Sequence, residues 1–254
     1  VFPHGYAVLN ADDDLVYALD ARTQFETGNY DKALMKYTQA LKTKKLHWIY
    51  EERGKTKFKL ENYKGAANDF TLSLAIQQSA GAYIERGKAN ILLKRYDNAI
   101  KDFTSSLEIE PTDYAYCLRG RTHFETGDYL QAIDDFTNAL KITKNPYIYA
   151  LRGQANRIIE KYKPAVEDYT NAIEIEKSEF YYMLRADLYM KIGQKDLAYN
   201  DNGYISLIKG NYDEAVINFS KSLSIKENYA VYEARGEAKF KQHDYRSAIE
   251  DFTK

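Results

Sequence analysis

The chain has 254 residues, with 36 Lys and Arg against 37 Asp and Glu, for a net charge of −1. That balance argues against a surface built for nucleic acid or for anionic lipid, and 44% hydrophobic residues argue against disorder. A single cysteine leaves no disulfide framework and no multi-cysteine zinc site. The apolar runs are only a few residues long, as at Tyr204 to Ile208, so no membrane insertion is expected. The first residues show no basic segment followed by an apolar stretch, which leaves an intracellular location as the default reading. The chain does not start with Met, and this suggests processing or a fragment.

Residues 1–13 read as an N-terminal extension. From there the chain repeats itself about every 33 residues, in segments 14–46, 47–79, 80–112, 113–145 and 146–178. An incomplete copy over 179–201, another over 202–228 and a truncated one over 229–254 follow. Each copy reads as two helices on either side of a short turn of the form Gly-Asp/Asn-Tyr, because apolar and small residues recur three or four apart on both sides of it. Pro164 falls at the start of a second helix, where its missing N–H costs little. Three repeat columns absorb seventeen of the 24 tyrosines, so most of them read as packing residues.

Two columns of small residues suggest how each hairpin closes. Gly54, Gly87 and Gly120 lie on first helices, and Ala66, Ala99 and Ala132 follow twelve residues later on second helices. Small side chains let two backbones approach, so these columns are expected at the helix crossing. The residue before the glycine is usually Arg, and sixteen residues further on stands Asp, as in Arg119 and Asp135. In the first copy the charges are exchanged, Asp20 with Lys36, and in the seventh both are amides, Asn202 with Asn218. Joint change of this kind predicts that the two positions touch and set helix register, and that exchanging the two charges rescues much of what either single change loses.

The pattern of small residue, aromatic, Gly-Asp/Asn-Tyr, Ala, aromatic and Ala/Ser-Leu resembles the tetratricopeptide repeat (TPR) family, and it runs from about Asp14 to Lys254. The period of 33 instead of 34, the arginine column and the single closing proline, Pro111, mark a divergent arginine-glycine type. The period also fits ankyrin repeats, but their T-P-L-H motif is absent. The near-zero charge disfavours the pentatricopeptide RNA binders. The resemblance implies an all-α, right-handed superhelical solenoid of about eight helix-turn-helix repeats, with one irregular or incomplete near residues 196–204. There the small column advances by 17 residues, from Ala186 to Gly203, and AYNDNGY (198–204) serves two copies at once. Either the chain carries a real deletion here or residues are missing between the two copies, the second being the expectation, and a continued stack beyond Lys254 is another.

In this family the first helices line a concave groove. Helical spacing puts Trp48, Tyr114 and Tyr147 in an aromatic row there, with Leu15, Gly81 and Phe180 at the equivalent positions. Lys55, Lys88 and Arg121 form a basic row beside it, which fades to Gln154, Asp187, Tyr204 and Glu237 in later copies. Such a groove suits a peptide segment of a protein partner, with acidic residues favoured. The chaperone-tail carboxylate clamp known in the family lacks its Asn here.

Catalytic patterns are absent. His4, His47, His123 and His243 are dispersed, and His123 falls in a column shared with Lys57, Asn90 and Lys239 that reads as surface. Cys117 replaces Ile84 and Ala150 of other copies and reads as a small apolar filler. The sequon Asn218-Phe219-Ser220 lies inside an expected helix. The leading expectation is therefore a non-enzymatic protein-binding scaffold without cofactor, metal or nucleic-acid partner. The alternative is a structural subunit of a larger assembly or filament, self-associated through its repeat ends. A third is an enzyme whose catalytic domain lies outside these residues.

Overall fold

The structure is a computed structural model that describes residues 13–254. The described residues are all-α, and the helices follow one another in antiparallel hairpins. They divide into two units, one ending at Thr126 and the other starting at Gly127. The first holds α1 (Asp13–Glu26), α2 (Tyr30–Ala40), α3 (His47–Lys59), α4 (Tyr63–Ile76), α5 (Ala80–Leu92), α6 (Tyr96–Ile109) and α7 (Asp113–Glu125). The second holds α8 (Tyr129–Ile142), α9 (Pro146–Ile158), α10 (Tyr162–Ile175), α11 (Glu179–Lys191), α12 (Lys195–Ile208), α13 (Tyr212–Ile225), α14 (Tyr229–Lys241) and α15 (Tyr245–Phe252).

The tight turns explain the Gly-Asp/Asn-Tyr signature. The residue two before each second helix has a left-handed backbone, with φ of +79° at Gly28 and +85° at Gly127. Glycine adopts this at no steric cost. Glu61, Lys94, Glu160 and His243 occupy the same turn position with φ between 57° and 65°, so those turns carry strain. The first helices start on short polar caps: Ser79, Thr112, Asn145, Ser178 and Asn228 each accept a hydrogen bond from a backbone N–H in the first turn.

The glycine column faces a ring. A Cβ added to Gly54 would lie 2.9 Å from Phe70, one on Gly87 2.6 Å from Phe103, and one on Gly203 2.3 Å from Phe219. The crossing expected between the glycine and alanine columns is thus filled, on the glycine side, by the aromatic residue sixteen positions on. Ala66 and Ala99 are fully buried elsewhere in the same interface. Gly120 and Arg119 belong to the first unit, Ala132 and Asp135 to the second, and all but Arg119 are buried.

The closing-up of the columns falls inside one helix. In α12, Asp201 accepts two hydrogen bonds from Arg185 on α11, at 2.9 and 2.8 Å, as second helices do elsewhere. Two residues on, Gly203 receives the ring of Phe219 from α13, as first helices do. Successive residues turn by about 100°, so positions two apart point to opposite sides of a helix. Ala198 and Asp201 serve one neighbour, Gly203 and Ser206 the other, and all four are buried. The expected amide pair does not form: Asn218 Nδ2 donates to Ser206 Oγ at 3.5 Å instead of meeting Asn202.

Candidate functional site: the first-helix face and the arginine ladder

Most repeats are tied by an arginine with several partners. Arg53, Arg86, Arg152, Arg185 and Arg235 each donate from Nε and Nη2 to the aspartate sixteen residues on, with shortest distances of 2.6–2.8 Å. Lys36 and Asp20 make the exchanged pair at 2.8 Å. The other guanidinium nitrogen reaches backwards. Arg86 donates to Thr71, Arg119 to Thr104, Arg152 to Thr137, Arg185 to Thr170 and Arg235 to Ser220, at 2.9–3.2 Å. The guanidinium also lies over the tyrosine three residues earlier, 5.3–5.8 Å from the ring centre at Tyr50, Tyr83, Tyr116, Tyr149, Tyr182 and Tyr232. One side chain therefore fastens its own second helix to the preceding one.

Four of these aspartates have a second donor. Lys57 reaches Asp69 at 2.8 Å, Asn90 reaches Asp102 at 2.9 Å, Asn156 reaches Asp168 at 3.2 Å and Lys239 reaches Asp251 at 2.8 Å. The column of His123, expected at the surface, is thus a partner column of the buried carboxylate, and His123 itself is half-buried. Burial raises the Asp168 carboxyl above its usual range despite the Arg152 hydrogen bonds. Asp251 faces the same burial penalty, but hydrogen bonds from Arg235 and Lys239 and their charges outweigh it and hold that carboxyl low. These groups are structural; among the described residues no cluster of three His, Cys, Asp or Glu is placed to hold a metal. None of the described helices is long and apolar enough to cross a membrane. Cys117 is buried, and that burial pushes its thiol up to about 11.

The first helices of the first unit carry two neighbouring clefts. A cleft of about 370 Å³ has Phe58, Ile91, Leu92 and Leu118 as apolar wall, Tyr114 and Tyr96 beside them, and Lys88, Arg121 and Glu125 at its polar edge. A smaller cleft of about 240 Å³ shares Phe58 and Lys88 and adds Phe25, Lys55 and Glu85. Lys88 Nζ sits 5.7 Å from the centre of the Phe58 ring. Of the expected row, Tyr114, Lys55, Lys88 and Arg121 thus come together. Trp48 is half-buried and packs on the cluster of Ala18, Ala21 and Ile49, outside both clefts. Tyr147 is exposed and belongs to the second unit.

The basic row is less basic than its sequence. Lys55 pairs with Glu52 at 2.7 Å and Lys88 with Glu85 at 2.9 Å, each three residues back on its own helix. At the same offset from Arg121 stands Leu118, and Arg121, exposed, makes no ion pair among the described residues. Sequence spacing missed Glu52 and Glu85, which lie two residues before the glycine. Offsets of four and five from the glycine, which helical spacing also assigns to this face, are Phe58, Ile91 and Leu92, and all three line the larger cleft.

A family model described as tetratricopeptide repeat matches residues 80–113, 114–146 and 198–229, the last beginning within α12. None of the curated proteins compared matches the sequence. Solved structures do match in shape. A tetratricopeptide repeat protein from Parabacteroides merdae superposes with a TM-score of 0.65 at 16% identity, over 90% of this chain and 99% of that one. The C-terminal part of a TPR repeat-containing protein from Cytophaga hutchinsonii gives 0.68 at 18%, over 91% and 97%. YrrB, described as a TPR protein with an unusual peptide-binding site, gives 0.61 at 19%, over 68% and 91%. The chain thus has the fold of these tetratricopeptide repeat proteins, and residues 80–113, 114–146 and 198–229 match the family's model.

Proposed function

We propose that the chain is a non-catalytic scaffold that receives a peptide segment of another protein along the first-helix face of its first unit. The observation that carries this is the cleft beside Tyr114. Its apolar wall of Phe58, Ile91, Leu92 and Leu118 can bury one apolar side chain, and Arg121 stands unpaired at its edge. An apolar anchor next to a carboxylate fits that arrangement. Lys55 and Lys88 contribute less, because a ligand carboxylate must displace Glu52 or Glu85 to reach them. The likeness in fold to YrrB, whose description includes a peptide-binding site, supports the same reading.

Panning a random peptide display library on the chain, followed by binding isotherms for a selected peptide, tests it. Selected sequences should pair an aromatic or aliphatic residue with Asp or Glu. Arg121→Glu and Tyr114→Ala should each weaken binding about tenfold or more, and Lys88→Glu should weaken it less. Affinity unaltered in all three variants refutes the site.

A further inference from the structure

A second cleft of about 470 Å³ opens in the first unit between the second helices α4 and α6, and its character is different. Lys64, Arg95 and Lys101 stand in its wall, all exposed and none in an ion pair among the described residues. Asn68 and Asn98 add side-chain amides. Behind them Arg86 is committed to Asp102 and Thr71. Asp102 is the single carboxylate of the lining, is buried, and is already bonded by Arg86 and Asn90. Arg86 and Asp102 offset each other, so the lining holds three uncompensated cations, in a chain of net charge −1.

The fold does not require this charge. One repeat away, the position of Lys64 is Asp31 or Asp97, and that of Arg95 is Asp128. The position of Lys101 is Asp134 or Glu167. Three like charges around one opening repel each other until an anion enters. The first turn of α6 carries one acidic residue, Asp97, which is not part of the lining; its N-cap, Arg95, offers no side-chain oxygen to the backbone N–H groups there, and Asn98 of that turn borders the cleft.

We propose that this cleft binds a compact polyvalent phosphate, a diphosphate group, with Lys64, Arg95 and Lys101 on its charges and the Asn68 and Asn98 amides donating to its oxygens. The site uses none of the residues of the peptide face. Titration calorimetry with inorganic pyrophosphate tests it, with orthophosphate, a nucleoside diphosphate and a phosphoserine peptide as parallel arms. One pyrophosphate should bind per chain, with orthophosphate about tenfold weaker. Arg95→Ala with Lys101→Ala should lower pyrophosphate affinity about tenfold or more, with the melting temperature unchanged. If that variant loses stability, Lys64→Gln, a change at an exposed position, carries the same comparison. A nucleoside diphosphate that binds as tightly as pyrophosphate identifies the free nucleotide as the source, and pyrophosphate alone identifies the inorganic anion. No binding of pyrophosphate, equal affinity in the variants, or preference for the phosphoserine peptide overturns the proposal.

Discussion

Cutting one rung of the arginine ladder should cost far more than losing a surface ion pair. Arg86 donates twice to Asp102, at 3.0 and 2.6 Å, once to Thr71 at 3.2 Å, and lies over Tyr83 at 5.4 Å. Its side chain is 23% exposed and that of Asp102 only 5%. Arg86→Met keeps the apolar stem and strands a buried carboxylate with Asn90 as its remaining donor, a loss of about 3–5 kcal/mol. Asp102→Leu strands a guanidinium that still reaches water and Thr71, a loss of about 1–3 kcal/mol. The double variant strands only the Asn90 amide, which should cost about 1–2 kcal/mol. The two single losses should therefore exceed the double by about 2 kcal/mol or more. A charge exchange, Arg86→Asp with Asp102→Arg, falls short of full rescue, because a guanidinium on α6 gives up the bond to Thr71 and the stacking on Tyr83. Urea unfolding followed by circular dichroism measures the totals. Native-state hydrogen exchange over α5 and α6 gives the local values that a repeat array needs when its parts open separately. Single losses below about 1 kcal/mol that simply add would make the rung an ordinary surface pair and refute the reasoning.

Other outcomes follow from the same geometry. Gly87→Ala gains helix propensity but presses a methyl to 2.6 Å from the Phe103 ring, so urea unfolding should show a net loss of about 1–2 kcal/mol. Lys94→Gly relieves a φ of +57° and should raise stability by about 0.5–1 kcal/mol in the same assay. Cys117, with its thiol near 11 instead of 9.0, should be alkylated at pH 8 by iodoacetamide at least about a hundredfold more slowly than a free thiol. Asp251 titrates below its ordinary range in the folded chain, so its contribution is complete above the ordinary value of 3.8 and is lost as pH falls through the lower folded one. Acidification should therefore loosen α14 and α15 in hydrogen exchange in that window. At Asp168 the folded value is raised, so protonation there favours the folded state and α9 and α10 should hold.

The pairing of helices was legible because two columns change together: Asp20 with Lys36 alone shows that a sign reversal is compensated, and the structure places them 2.8 Å apart. The threonine column was not, because Thr71 and its equivalents belong to the copy before the arginine they serve, so that pairing runs between hairpins and leaves no joint change within one. A column of small residues suggests a backbone contact, whereas here its smallness answers the width of a ring on the facing helix. Of the residues that first-helix spacing singled out, Lys55, Lys88, Tyr114 and Arg121 line the two clefts of the first unit. It could not show that Glu52 and Glu85 lie within reach of the lysines, since a side chain's reach along its own helix depends on rotamer as well as position.

The two-sided helix α12 frees the array from growing only by whole hairpins. A stretch that plays closing partner to α11 and opening partner to α13 leaves neither neighbour bare, so a lineage of such chains can lengthen or shorten by a single rod. Every such half-step also exchanges the roles of all rods after it, so that α14 takes the opening part and α15 the closing one.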